Sequence, residues 1–134
     1  MTMFRARQAI GRAVQGIALV AQDGFSTRYD LDRVAGVFSR PAHKLAGQSY
    51  VGKVLVLDTA KGGVATAWML HEMASRGVVP LALVFNSVNP ILAQGAAFGE
   101  VPMLAGFDVD ITRAIPNGGS VAIDPAAHTI TIVE

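Results

Sequence analysis

From Lys53 to Gly77 the chain reads KVLVLD, then TAKGG, then VATAWMLHEMASRG. A continuous apolar run that meets paired glycines and then a helical pattern has few solutions: a buried strand, a tight turn and a helix. The glycines serve the turn for backbone reasons alone. Their placement also has a chemical consequence. The amides of Lys61, Gly62 and Gly63 fall at the start of the helix, where unpaired N–H groups and the positive end of the helix dipole favour an anion. Lys61 adds a cation to that opening. Thr66, one turn further on, has a hydroxyl that could face it, although threonine inside a helix more commonly bonds back to the backbone. The segment therefore suits a carboxylate or a phosphate. Neither GxxxxGK[ST] nor GxGxxG is present, so it is not a nucleotide loop of those kinds.

Around this unit the chain reads as one α/β domain over residues 1–134. A first strand is expected at Ile17 to Ala21. A long stretch without clear periodicity follows, Gln22 to Tyr50, whose loops are expected to be functional or to meet a partner. Val51 to Leu57 reads as a buried strand. The helix from Val64 is expected to turn Val64, Ala67, Trp68, Leu70, Met73 and Ala74 towards packing, to pair Glu72 with Arg76 outside, and to stop at Gly77. Pro80 introduces a second buried strand, Leu81 to Phe85. Asn89 and Pro90 then start a short helix over Ile91 to Gly99. VPMLAGF supplies another short strand, and SVAIDPAAHTITIVE two strands around a turn at Asp124 to Ala127. The order implies an α/β layer with additional β structure at both ends.

The chain is 51% hydrophobic and 16% charged, against about a quarter charged in average proteins. Some apolar surface is therefore expected under a partner. A net charge of +1 argues against nucleic acid, which demands a basic stripe. With no cysteine, disulfides, thiolate metal ligation and a cysteine nucleophile are excluded from this chain. The apolar stretch after the N-terminal arginines is short and broken by Gln15 and Gly16, more like a strand than a signal peptide. No run is long enough to span a membrane, and a cytoplasmic location is expected.

Beyond the glycine loop the candidates are fewer. His43, His71 and His128 are too widely spaced for a metal site. His71 is expected to face solvent and His128 to sit at the last turn. His43 shares the loop SRPAHKLAG with Arg40 and Lys44, a local basic cluster suited to an acidic substrate or to holding the loop. Asn86 and Asn89 flank the end of a buried strand, where open α/β sheets bind ligands. Turn formation and helix capping are their simpler roles. Ser26 in the DGFST loop is a weaker candidate, and Trp68 reads as a core or interface residue.

HKLAGQSYVGKVLVLDTAKGG, the helix carrying Leu70 and Glu72, and GVVPLALVFNSVNPILAQGAAFGEVPML together resemble the small, swivel subunit of aconitase X. The likeness runs from about Gly24 to Val133. It implies a swivelling β/β/α domain like the mobile domain of aconitases. It also implies one subunit of a hydro-lyase, whose iron or iron–sulfur centre is held by cysteines of a larger subunit; no cofactor is expected on this chain. The activities implied are dehydration of cis-3-hydroxy-L-proline in bacteria and of phosphomevalonate in archaea. The composition here does not resemble a hyperthermophile and inclines towards the bacterial type. On this likeness Lys61 and Thr66 are the candidate catalytic residues, with Gly62, Gly63, Arg40, His43, Asn86 and Asn89 binding substrate. One position departs from the family. Swivel domains carry a serine base in the strand-to-helix loop, and Gly63 stands in its place. Thr66 or another residue could replace that base, the large subunit could hold it, or this subunit could serve a different substrate. The chain could otherwise be an assembly subunit that has lost its catalytic role.

Overall fold

The computed structural model describes residues 2–25, 30–60, 64–88 and 100–133, the side chains of 64–67 excepted. Ten strands are found among them: β1 (Met3–Arg5), β2 (Gln8–Ile10), β3 (Val14–Val20), β4 (Leu31–Asp32), β5 (Val37–Phe38), β6 (Val54–Thr59), β7 (Ala82–Ser87), β8 (Met103–Ala105), β9 (Ser120–Asp124) and β10 (Thr129–Val133). Two α-helices accompany them, α1 (Val64–Ser75) and α2 (Ile111–Ala114). Eight strands form one sheet in the order β1-β10-β9-β3-β6-β7-β8-β2, while β4 and β5 form a separate ribbon.

The two edges of that sheet, β1 and β2, are consecutive in the chain. The link between them bonds to both sides: Ala6 N–H donates to the His128 carbonyl at 2.7 Å and Arg7 N–H to the Gly106 carbonyl at 2.8 Å. One short N-terminal segment thus pairs with β10 at its start and with β8 at its end. The sheet closes on itself into a barrel, which removes its open edges. β3 makes the change of direction possible. Its first half pairs antiparallel with β9, through Val14 to Ile17, and its second half parallel with β6, through Ala18 to Val20.

Strand alternation divides the core in two. Ala18, Val54, Val56, Ala82, Val84, Leu104, Val121, Ile123 and Ile130 pack together with Ile111 and Ile115 of the α2 turn, and fill the barrel. The intervening residues Leu55, Leu57, Leu83, Phe85, Met103 and Ala105 face outwards against Leu70 and Met73 of α1. Strands covered on both faces read as unbroken apolar runs, which is why β6 and β7 were legible as buried strands. The α1 C-terminus closes as expected. Gly77 has φ +73°, its N–H donates to the Ala74 carbonyl, and Val78 N–H reaches back to that of Met73.

The described residues of 22–50 are largely irregular, yet Phe25, Leu31, Phe38, Leu45 and Tyr50 are buried in the outer core. The segment is one wall of the packing. Two expectations, for Trp68 and His71, are corrected. Trp68 is 58% exposed, because the buried stripe of α1 runs through Leu70, Met73 and Ala74 and residue 68 lies about 200° around the helix from Leu70. His71 is half-buried, with its ring edge-on to Trp68 at 6.0 Å between centroids. The Glu72–Arg76 pair forms, at 3.0 Å. The helix expected over Ile91 to Gly99 lies outside the described residues. Among the described residues no helix is long and apolar enough to cross a membrane.

Candidate functional site

Parallel strands β6 and β7 end side by side, with Thr59 opposite Ser87. The chain leaves β6 through Ala60, and α1 begins at Val64, so the glycine loop joins a strand's carboxyl end to a helix start, as expected. Lys61, Gly62, Gly63 and Asn89 lie outside the described residues, as does Ser26. Thr66 falls in the first turns of α1, its side chain not described.

The wall beside Ala60 is built by the loop after β3. Phe25 forms a parallel bridge to Ala60; its N–H donates to the Thr59 carbonyl at 2.9 Å, and Asp58 N–H donates to the Asp23 carbonyl at 2.9 Å. Side chains from residues 23–45 lock this extension in place. Asp23 accepts from Gly24 N–H at 2.7 Å and from Lys44 N–H at 3.1 Å. Arg40 bonds through Nε to the buried Asp30 and lies 3.5 Å from Asp23 through Nη2. Burial works against the Asp23 charge, but the two amides and the neighbouring Arg40 outweigh it and hold the carboxyl below its ordinary value. The Asp30 hydrogen bond holds the Arg40 guanidinium above its usual range. Arg40 keeps about a third of its side chain exposed, so it remains within reach of a ligand while two carboxylates already share its charge.

Of the two roles open to His43, a substrate contact or holding the loop, its contacts are those of the second. It is 3% exposed and stacked on Phe38 at 4.6 Å between centroids. Leu45 N–H donates to Nδ1 at 3.0 Å, so that nitrogen carries no proton, and Nε2–H donates to the Gly24 carbonyl at 2.8 Å. Both ring nitrogens are committed to holding the loop. The local basic cluster is thus one exposed lysine and one paired arginine around a buried imidazole.

Asn86 likewise spends its amide on the fold. Nδ2 donates to Asp58 at 3.0 Å and to Asp110 at 2.8 Å, while Oδ1 accepts from Ile111 N–H at 2.8 Å. It fastens α2 across the carboxyl end of the barrel. Asp110 is the α2 N-cap, accepting from Thr112 N–H at 3.1 Å and Thr112 Oγ1 at 2.6 Å. The Thr112 hydroxyl, then Asn86, hold the Asp110 carboxyl below its ordinary value. His128 closes the β9–β10 turn at φ +60°, its Nδ1 3.2 Å from the Ala6 carbonyl.

A concavity of about 340 Å³ lined by Arg12, Gly52, Pro80, Glu100 and Pro102 lies at the opposite, amino ends of β6 to β8, away from the glycine loop. Among the described residues no group of histidine, aspartate and glutamate could hold a metal ion, and the sequence has no thiolate to bind an iron–sulfur cluster. The donor set among the described residues does not fit such a group.

A closed barrel with a helix on one outer face and a strand-to-helix loop at its carboxyl end defines a swivelling β/β/α domain. The chain belongs to the aconitase X swivel domain family, whose model matches residues 3–132. Among its relatives, the phosphomevalonate dehydratase small subunit of Methanopyrus kandleri is 30% identical over 112 residues, covering 84% of this chain and 83% of the relative. That of Methanocella arvoryzae is 30% identical over 122 residues, covering 91% and 92%. In fold, the chain superposes on Thermococcus kodakaraensis aconitase X in its holo-form with a TM-score of 0.91 at 24% identity, covering each chain fully. It is therefore one subunit of an aconitase X-type hydro-lyase, and a small subunit implies a larger partner.

Proposed function

We propose that this chain is the mobile small subunit of a dehydratase that removes water from a small hydroxy acid, gripping the acid's anionic group at Lys61, Gly62 and Gly63. The observation that carries this is the family match over residues 3–132, with relatives of matching extent named as dehydratase small subunits. Those names favour phosphomevalonate over the cis-3-hydroxy-L-proline to which the composition inclined. An iron or iron–sulfur centre belongs on the larger, cysteine-bearing subunit, and no step assigned to this chain runs through it.

Elimination of water from a β-hydroxy acid needs a base to take the proton beside the carboxylate, and negative charge builds on that carboxylate as the proton leaves. Loop amides and an ammonium group aimed there stabilise the transition state more than the ground state. Arg40 and Asn89 are assigned to substrate binding in this reading on the family likeness alone. Gly63 supplies no side chain, so the base in this reading is Thr66 or another residue of this chain, or a group on the larger subunit.

Co-expression with the larger subunit tests this. Turnover of phosphomevalonate and of cis-3-hydroxy-L-proline is measured for the assembled enzyme. Lys61→Ala is expected to lower kcat/KM by about 10- to 100-fold, the equivalent of losing one charged hydrogen bond. Unchanged turnover removes Lys61 from the site. A larger subunit fully active alone would assign this chain to assembly instead.

A further inference from the structure

We propose that Thr59 and Ser87 form a hydroxyl pair that binds an oxyanion of the substrate, supplying in this chain a hydroxyl donor that the glycine loop lacks. The inference rests on the dehydratase reading above and extends its site to two residues outside the loop.

The pair is fixed by the fold. Thr59 and Ser87 are register partners at the last paired position of β6 and β7, and their hydroxyls lie 3.0 Å apart. Ala60 N–H donates to the Ser87 carbonyl at 3.3 Å, so both strand ends are tied together one residue before Lys61. Alternation sets the direction of the side chains. Thr59 continues the row of Leu55 and Leu57, and Ser87 that of Leu83 and Phe85, all of which face the outer core and α1. The two hydroxyls therefore stand on the α1 side of the sheet.

Proton counting gives the pair its chemistry. Two hydroxyls carry two hydrogens and share one hydrogen bond. Whichever of them donates, one hydrogen is left, and among the described residues it meets no acceptor. Thr59 is half-buried and Ser87 exposed, so the pair is not sealed in the core. A hydroxyl already accepting a hydrogen bond is polarised and donates more strongly to the next acceptor. A carboxylate or phosphate oxygen at the carboxyl ends of β6 and β7 is such an acceptor, and this end of parallel strands is where α/β sheets place ligands. An ordinary cross-strand Thr–Ser pair stabilises a sheet modestly and has no effect on binding.

The test uses the assembled two-subunit enzyme, with inorganic phosphate and succinate titrated calorimetrically as phosphate and carboxylate probes and KM and kcat measured for the hydroxy acid it turns over. Thr59→Val is expected to weaken whichever probe binds by about tenfold and to raise KM in step, with kcat within twofold. Thr59→Ser restores both, and Ser87→Ala gives a partial loss. The subsite is overturned if wild type binds a probe and Thr59→Val binds it within twofold, or if wild type binds neither probe. Should Thr59→Val not assemble, Ser87→Ala decides: wild-type probe binding in that variant overturns the pair. Turnover by the wild-type enzyme with no effect of these variants leaves the dehydratase standing without the subsite. Absence of turnover on every hydroxy acid offered defeats the dehydratase reading itself, while the probe titration still reports on the pair.

Discussion

Replacing His43 by alanine separates a structural histidine from a substrate-binding one. The ring is buried, stacked on Phe38, and bonded at both nitrogens. Its loss strands the buried Leu45 N–H, about 1–3 kcal/mol for an unsatisfied buried donor. Gly24 is only half-buried, so its carbonyl can recover water, and the lost bond there costs about 0.5–1 kcal/mol. The ring stack adds about 0.5–1.5 kcal/mol. The total is about 2–5.5 kcal/mol, or a fall in Tm of roughly 7–20 °C for a domain of this size. Denaturant unfolding of wild type and His43→Ala, at constant subunit concentration, measures it. His43→Phe is a useful companion, since it keeps the stack and loses both bonds, and should recover about 1 kcal/mol. Activity gives the second reading. Enzyme that remains folded below the lowered Tm should keep its KM within about twofold, because no ring nitrogen is free to touch substrate. A destabilisation below about 1 kcal/mol, with KM raised tenfold, would show that the ring leaves its pocket to bind.

Two further outcomes follow from the geometry. Asp110 is held below the ordinary carboxyl value of 3.8 by the Thr112 hydroxyl and Asn86, so it contributes stability above about pH 3.8 that is lost as pH falls through its lower folded value. Asp110→Asn should therefore melt below wild type at pH 7, with the two curves converging as pH drops under 4; a deficit that is independent of pH refutes this. Gly11 has φ +100°, and a Cβ there would sit 2.8 Å from the Pro102 backbone. Gly11→Ala should cost about 2–3 kcal/mol, but Gly118→Ala, at φ +81° with open space around it, only about 1–2. Equal costs in urea unfolding would mean that the close approach of the β2–β3 turn to Pro102 contributes nothing.

The β6–α1–β7 unit was legible because its signals are local: apolar runs covered on both faces, a glycine turn, and a glycine that ends the helix. Barrel closure was not. Met3–Arg5 and Gln8–Ile10 are short, hold Arg5 and Gln8, and owe their strand form to partners more than ninety residues away. No window of sequence contains that information. The same holds for residues 22–50, where Phe25, Leu31, Phe38, Leu45 and Tyr50 are spaced by no period because they are delivered to one core by turns. Trp68 was misplaced for a different reason. The apolar residues of α1 exceed one face, and only the tertiary partner decides which stripe is covered.

The site divides along the same line. Lys61, Gly62 and Gly63 were read from a local pattern and stand as a proposal on that pattern and on the family. Arg40 and His43 drew notice as a basic cluster because charge can be counted along a sequence. Their counterions cannot be: Asp23 and Asp30 reach Arg40 from seventeen and ten positions away. Once those carboxylates are in place the loop is a strut for Phe25 and Ala60, and its arginine has limited charge to spare for an acid. The hydroxyls of Thr59 and Ser87, by contrast, carry no sequence signal, being common residues 28 positions apart. Parallel pairing of two buried strands is what sets them side by side at the carboxyl ends of β6 and β7. The backbone thus fixes two hydroxyls at the strand end from which the chain leaves towards α1, where a pattern read along the sequence offers only glycine and lysine.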